Sequence, residues 1–369
     1  MKKQRFIDSF AALGMTSVAS LGMTAFLLLA VSCGKGGMDV PEGDPVSFDS
    51  SLTETATKAL LPNNTTFAVF AWYQPGVIGG AAGAWSTGGW TPNFMYNQGV
   101  TFTTPSTYTY APVKYWPNNE ENTLSFWAYC PHNAAGLTLR ESAGGSAYAN
   151  TATTGIPYLD YTTVTGNALI DLMSSDFDAS VKDLSKPNLD TPVHLVFRHL
   201  LSRIVFHFVK VDDESDDYEV RLTEVSIRGV YQNAGHPGDP SGSWTGHSNN
   251  GNITVYADAT PLTTDDNPEV DNAGSTDLAV MPIPQILTGT TAKIYISYVV
   301  IPSVGDPVPE EAEILITDLH PGWIAPAGWD QNYQYTYNVS ITPGDRPIVF
   351  SASIVPWEDA APWVYHYVD

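Results

Sequence analysis

The amino-acid sequence predicts an all-β protein built of two tandem β-sandwich domains. Three observations lead there. Wherever a pattern is legible, apolar and polar residues alternate with a period of two, as in a half-buried strand. The 30 Gly and 27 Pro are spread along the chain, as many short elements joined by turns require. Helical spacing is scarce. At 369 residues there is material for two sandwich-sized cores. Ten Trp, nineteen Tyr and fourteen Phe separate the chain from a disordered polymer.

In chain order, Lys2, Lys3 and Arg5 precede an uncharged stretch from Ala11 to Val31, and Ser32-Cys33 follows. This reads as a signal peptide over residues 1–32 ending in a lipobox-like site. Diacylation needs a thiol directly after the cleavage site, and Cys33 supplies it. The alternative is an uncleaved anchor, because an uncharged run of this length can span a bilayer. Gly14, Thr16, Ser17, Ser20 and Gly22 thin its first half, which favours the signal peptide. Residues 33–47 carry no apolar periodicity and read as the lipidated N-terminus and a flexible tether.

The body divides into an N-terminal sandwich over residues 48–211 and a C-terminal one over 212–369. The boundary lies at the acidic run Val211-Asp-Asp-Glu-Ser-Asp-Asp217. That run lacks the spacing and the glycine of a calcium-binding EF-hand loop and reads as a charged linker. The clearest strand is Asn332–Ile341, with Tyr333, Tyr335, Tyr337, Val339 and Ile341 on one face. Further strands are expected at Thr66–Trp72, Leu124–Cys130, His194–Phe197, Arg203–Val209, Val220–Val230, Lys293–Ile301, Glu313–Thr317 and Ile348–Ile354. The stretch from Phe197 to Phe208 reads as two paired core strands with a bend at His199–Ser202. Leu169, Leu172 and Met173 suggest one short helix over Gly166–Ser174.

Charge excludes one class of partner. Cleavage before Cys33 removes Lys2, Lys3, Arg5 and Asp8, so 16 basic and 39 acidic residues become 13 and 38. Such a surface repels nucleic acid. Cys130 sits in phase with Leu124, Phe126 and Ala128 and reads as a small buried hydrophobe, leaving no disulfide framework.

No reaction chemistry stands out. There is no G-x-S-x-G elbow, no phosphate-binding G-x-x-x-x-G-K-[ST] loop and no H-x-x-x-H pair on a helix. His194, His199 and His207 read as structural. No catalytic residue, metal ligand or cofactor is therefore assigned, and an enzyme is not expected. The glycine-rich segment Gly76–Trp90 is the one unusual loop. Trp85 and Trp90 there either stack on a sugar or peptide, as a ligand-contact loop, or pack on the sandwich.

Several motifs together resemble the fimbrillin-like proteins of the type V pilin superfamily. They are Tyr110-Ala-Pro-Val-Lys-Tyr-Trp-Pro117 with Leu124-Ser-Phe-Trp-Ala-Tyr-Cys-Pro131, Asp171-Leu-Met173, Val196-Phe-Arg-His-Leu-Leu-Ser-Arg203, Pro282-Ile-Pro-Gln285, the Asn332–Ile341 strand and Ile354-Val-Pro-Trp-Glu358. The resemblance implies transthyretin-like sandwiches and export as an outer-membrane lipoprotein to the cell surface. It also implies assembly in which a strand from one subunit completes the sheet of the next. Its partners would be other pilin subunits, with a host or bacterial surface receptor or glycan beyond them. Stalk members are cut after a basic residue near the first strand. The matching position is Lys58, the only Lys or Arg between Lys35 and Lys114. The implied function is that of a structural or adhesive fimbrial subunit; the alternative is a monomeric glycan-binding surface lipoprotein.

Overall fold

The computed structural model describes residues 43–52, 61–76, 83–104, 106–164, 169–186, 191–210, 218–263, 278–341 and 348–357. The strands of the first half are β1 (Phe48–Ser51), β2 (Thr66–Gln74), β3 (Met95–Thr103), β4 (Thr107–Thr109), β5 (Thr123–Cys130), β6 (Leu137–Arg140), β7 (Tyr158–Thr162), β8 (Met173–Ser175) and β9 (Val193–His199). Those of the second half begin with β10 (Arg203–Lys210), β11 (Tyr218–His236), β12 (Thr245–Thr263), β13 (Leu278–Val280) and β14 (Gln285–Ile286). They end with β15 (Lys293–Pro302), β16 (Val308–Leu315), β17 (Gly328–Trp329), β18 (Tyr333–Ile341) and β19 (Val349–Pro356). Helical structure among the described residues is confined to 3-10 conformation at Trp85–Thr87, Ile316–Leu319 and Trp357. The all-β fold is as the sequence predicts.

Seven strands form one sheet in the order β1-β9-β8-β5-β2-β3-β4. Its centre is the antiparallel pair β2–β5, where Phe70 lies opposite Trp127. Both strands are near-continuous apolar runs because the sheet is covered on both faces, and Phe67 to Trp72 and Leu124 to Cys130 are all buried. Cys130 is a free buried thiol, and burial pushes its pKa up.

A four-stranded sheet runs β13-β10-β18-β19, with β10 and β18 parallel and Phe206 beside Tyr337. A third sheet runs β16-β15-β11-β7-β6, with β12 on the other edge of β11. Here β11 spans the molecule. Its first part pairs with β15 from Tyr218 to Arg228, and its last part pairs with β7 from Asn233 to His236. Buried apolar residues gather in two clusters. One is built mainly from residues 46–201; the other starts at Ile204 and ends at Ile341. The residues from Gly43 onward nevertheless form one compact unit.

Three expectations are corrected. Phe197 and Phe208 do not lie on paired strands: β9 belongs to the seven-stranded sheet and β10 to the four-stranded one, so residues 200–202 cross between sheets. The short helix is absent from its described part. Met173–Ser175 is a strand between β5 and β9, and Leu172 and Met173 are both buried because the chain there is enclosed on two sides. The strand expected at Glu313–Thr317 lies earlier, at Val308–Leu315, and gives way to the 3-10 turn. Tyr335, Tyr337, Val339 and Ile341 are buried as their alternation requires, whereas Tyr333, at the strand's first position, is 39% exposed.

Candidate functional site

The first candidate is the edge of the seven-stranded sheet. β1 lies parallel to β9, with Phe48 opposite Val193 and Ser51 opposite Val196. Val46, Phe48 and Ser50 alternate inward and are buried, so the segment fills a groove as a strand does. The Phe48 ring meets Tyr110 and Phe126 edge-on, at centroid distances of 5.6 and 5.9 Å. Backbone bonds run from Val46 N–H to Lys114 O (2.8 Å) and from Trp116 N–H to Asp44 O (2.9 Å). Tyr110 Oη donates to Val46 O at 2.7 Å, and Ser50 N–H donates to Tyr108 Oη at 3.1 Å. The Tyr-Ala-Pro-Val-Lys-Tyr-Trp motif is thus one wall of the groove. Burial raises the pKa of both Tyr108 and Tyr110 and keeps the two phenols protonated. Sequence reasoning missed β1, although Val46-Ser-Phe-Asp-Ser50 carries a short period-two signal.

The remaining motifs meet where the two clusters join. Asp171 Oδ1 lies 2.8 Å from His199 Nδ1, and the His199 ring stacks on Trp357 at 4.0 Å. Trp357 N–H donates to Asn332 O, Asn332 N–H to Leu201 O and Ser202 N–H to Pro282 O. Gln285 holds Tyr231 from both sides, accepting from its N–H (2.8 Å) and donating to its carbonyl (3.1 Å). Residues separated by up to about half the chain are therefore one structural knot. A cleft of about 590 Å³ opens beside it, lined among others by His199, Trp244, Gln285 and Trp329.

The third feature contains Trp85 and Trp90. Both are half-buried, and with Thr153, Thr154 and three glycines they line a pocket of about 220 Å³. Trp85 sits edge-on to Trp72 (5.2 Å) and Phe177 (4.7 Å), so one side of it packs on the sandwich. Trp90 Nε1 donates to Ala84 O at 3.2 Å. A polar relay pins the turn: Ser125 Oγ donates to Gln74 Oε1, Gln74 Nε2 to Asp183 Oδ1, and Trp85 N–H to the same carboxylate oxygen. The structure brings the two tryptophans together, and adds Thr153–Gly155 from a distant loop that no local signal connects to them.

Cys33, Lys58 and the acidic run 211–217 lie outside the described residues. Among those described, no group of three or more His, Cys, Asp or Glu is placed to hold a metal ion.

The fimbrillin-like family matches residues 53–357. The chain belongs to the fimbrillin-like family. A crystal structure of a fimbrial protein from Bacteroides vulgatus ATCC 8482 superposes with a TM-score of 0.58 at 19% identity, covering 85% of this chain and 99% of that one. At that identity the likeness speaks for the fold. The fimbrium subunit Fim1C of Phocaeicola vulgatus is 30% identical over 168 residues, which make up 43% of this chain. The match spans 40% of that relative's length. The fimbrillin-like motifs named above thus sit in two places, the β1 groove and the knot between the clusters.

Proposed function

We propose that this chain is a structural or adhesive subunit of a cell-surface fimbria, exported as an outer-membrane lipoprotein through Cys33 and assembled by β-strand addition to other pilin subunits. The reading is non-enzymatic. One observation carries it: β1, just upstream of Lys58, is a short edge strand whose alternate side chains fill a groove bounded by Tyr110 and Phe126. Cutting after Lys58 would sever that strand from the body and free the outer edge of β9. A neighbour's extended strand then supplies the same backbone bonds and fills the same pockets. The two buried clusters are read as the two sandwich domains of residues 48–211 and 212–369, with β10 reaching across into the second core.

The test is N-terminal sequencing of fibre-associated protein beside a Lys58→Ala strain. The expected result is mature chains beginning at Ala59 and loss of fibres in the variant. Chains that still begin at Cys33, with normal fibres from Lys58→Ala, would overturn cleavage. The alternative, a monomeric glycan-binding surface lipoprotein, draws on the Trp85–Trp90 pocket; it predicts a stable monomer that does not polymerise after the cut.

A further inference from the structure

We infer that the pocket between Trp85 and Trp90 is a preformed binding site for a single neutral pyranose ring, the terminal sugar of a glycan. The volume, about 220 Å³, lies below the roughly 300–1,000 Å³ of sites for drug-sized ligands and suits one six-membered ring.

Its lining has the chemistry that a sugar needs. Two indoles line it and supply apolar surface for the C–H groups of the ring. Thr153 and Thr154 are exposed and bring two hydroxyls to the pocket wall. Gly88 and Gly89, at φ of 70° and 75°, have open space where a Cβ would stand, so a ring can approach their backbone closely, although the Gly88 N–H is already donated to Trp85 O at 3.1 Å. Among the described residues, none that lines it is charged. With the chain's net charge of −23, this selects against sialylated or sulfated sugars.

The site is also held rigid before any ligand arrives. Trp85 is wedged against Trp72 and Phe177, and its backbone is pinned through Asp183 to the buried Gln74 and Ser125. On the opposite wall Tyr148 Oη donates to Gly155 O, and Tyr148 is itself held by Tyr96 Oη at 2.5 Å. A Cβ on Gly155 would sit 3.7 Å from the Trp85 ring, which places that loop directly against the indole. Such preorganisation removes the ordering cost that weakens binding by flexible loops.

The pocket does not depend on strand addition, so the two readings fail separately. Wild-type protein that is never found in fibres but binds sugar sinks assembly alone; protein that is found in fibres but binds no sugar sinks this site alone. The experiment titrates the protein isolated from its host's surface with lactose, maltotriose and mannotriose, and with 3′-sialyllactose as the anionic counterpart. Intrinsic tryptophan fluorescence and calorimetry are the readouts. The expected result is saturable binding of at least one neutral sugar and weaker binding of the sialylated one. Trp90→Ala should lower affinity about tenfold, equivalent to about 1.4 kcal/mol of lost stacking. Thr153→Val should also weaken binding, with an unchanged melting temperature. Trp85→Ala is avoided as the primary variant because that ring also supports the core. No binding of the three neutral sugars, or unchanged affinity in both Trp90→Ala and Thr153→Val at native melting temperature, overturns the inference.

Discussion

Replacing Phe48 by alanine tests whether β1 is a removable plug. Phe48 is 4% exposed and meets two rings edge-on, Tyr110 and Phe126. Truncating a buried Phe costs about 3–5 kcal/mol, from lost transfer energy and the cavity left behind. At about 2–4 °C per kcal/mol for a domain of this size, the uncut chain should melt about 6–20 °C lower. The same substitution should be silent in protein cut after Lys58 from which the upstream segment has been displaced, because the side chain is then gone in both forms. Differential scanning calorimetry of the four samples reads this directly. A shift below about 2 °C in the uncut variant would mean that Phe48 does not hold the groove. An equal shift before and after the cut would mean that the segment never leaves. Either result refutes the plug.

Other interactions give their own signals. Tyr337→Phe removes the acceptor of the buried Trp329 Nε1 at 3.0 Å and the hydroxyl 3.2 Å from His320 Nε2. Leaving that indole N–H unpaired should cost about 1–3 kcal/mol in urea denaturation. Trp357→Ala removes the stacking partner of His199 and should cost about 3–5 kcal/mol. A double-mutant cycle with His199→Ala should be non-additive, because the two rings touch at 4.0 Å. Burial lowers the pKa of His236 and of His320 from 6.5 to about 4. The unfolded chain therefore takes up protons first as the pH falls. The stabilisation is full above about 6.5, declines between 6.5 and 4 and is lost by about pH 4; for His236 it is on the order of 3 kcal/mol. Urea midpoints from pH 7.5 to 4.5 should fall accordingly, with a flatter slope in His236→Gln.

Alternation marked the strands with one buried and one wet face, and longer continuous apolar runs marked β2 and β5. The alternation from Tyr335 to Ile341 set β18 within a residue of its observed start, because period two has no helical counterpart there. Partnership between strands was not legible. Val-Phe-Arg-His-Leu-Leu-Ser-Arg looks like a hairpin, since a bend between two apolar runs reads the same whether the chain returns to its own sheet or enters another. Leu200 and Leu201 are buried, and Ser202 is held through Pro282 and Asp330, which only the folded molecule brings near. The Leu169–Met173 spacing suggested a helix because strand β8 is buried on both faces, which erases period two. At the Trp85–Trp90 loop the two indoles were visible, but their partners Asp183 and Gly155 are joined to them only through tertiary contact.

How the fold manages its sheet edges separates the two sides of strand addition. An edge strand invites pairing with another chain unless it is short, charged, bulged or covered. Most edges here are guarded. β4 and β13 have three residues each, and β6 has four and carries Arg140 paired with Asp160. β16 presents Glu310, Glu311 and Glu313, and the β11–β12 ladder is broken by four register shifts. Among the described residues β19 is the exception: eight residues, no charged side chain, with Val349 59% and Ile354 41% exposed. Ile354 lies opposite the buried Tyr335, on the strand's core side, yet its own core covers it poorly. β1 shows the reverse, a short strand whose inward side chains are enclosed. A donor must give up little on leaving its own subunit, and an acceptor must offer a deep groove. On the strand-addition reading, β19 has the properties of the first and the β1 groove those of the second, so successive subunits would join the C-terminal sandwich of one to the N-terminal sandwich of the next.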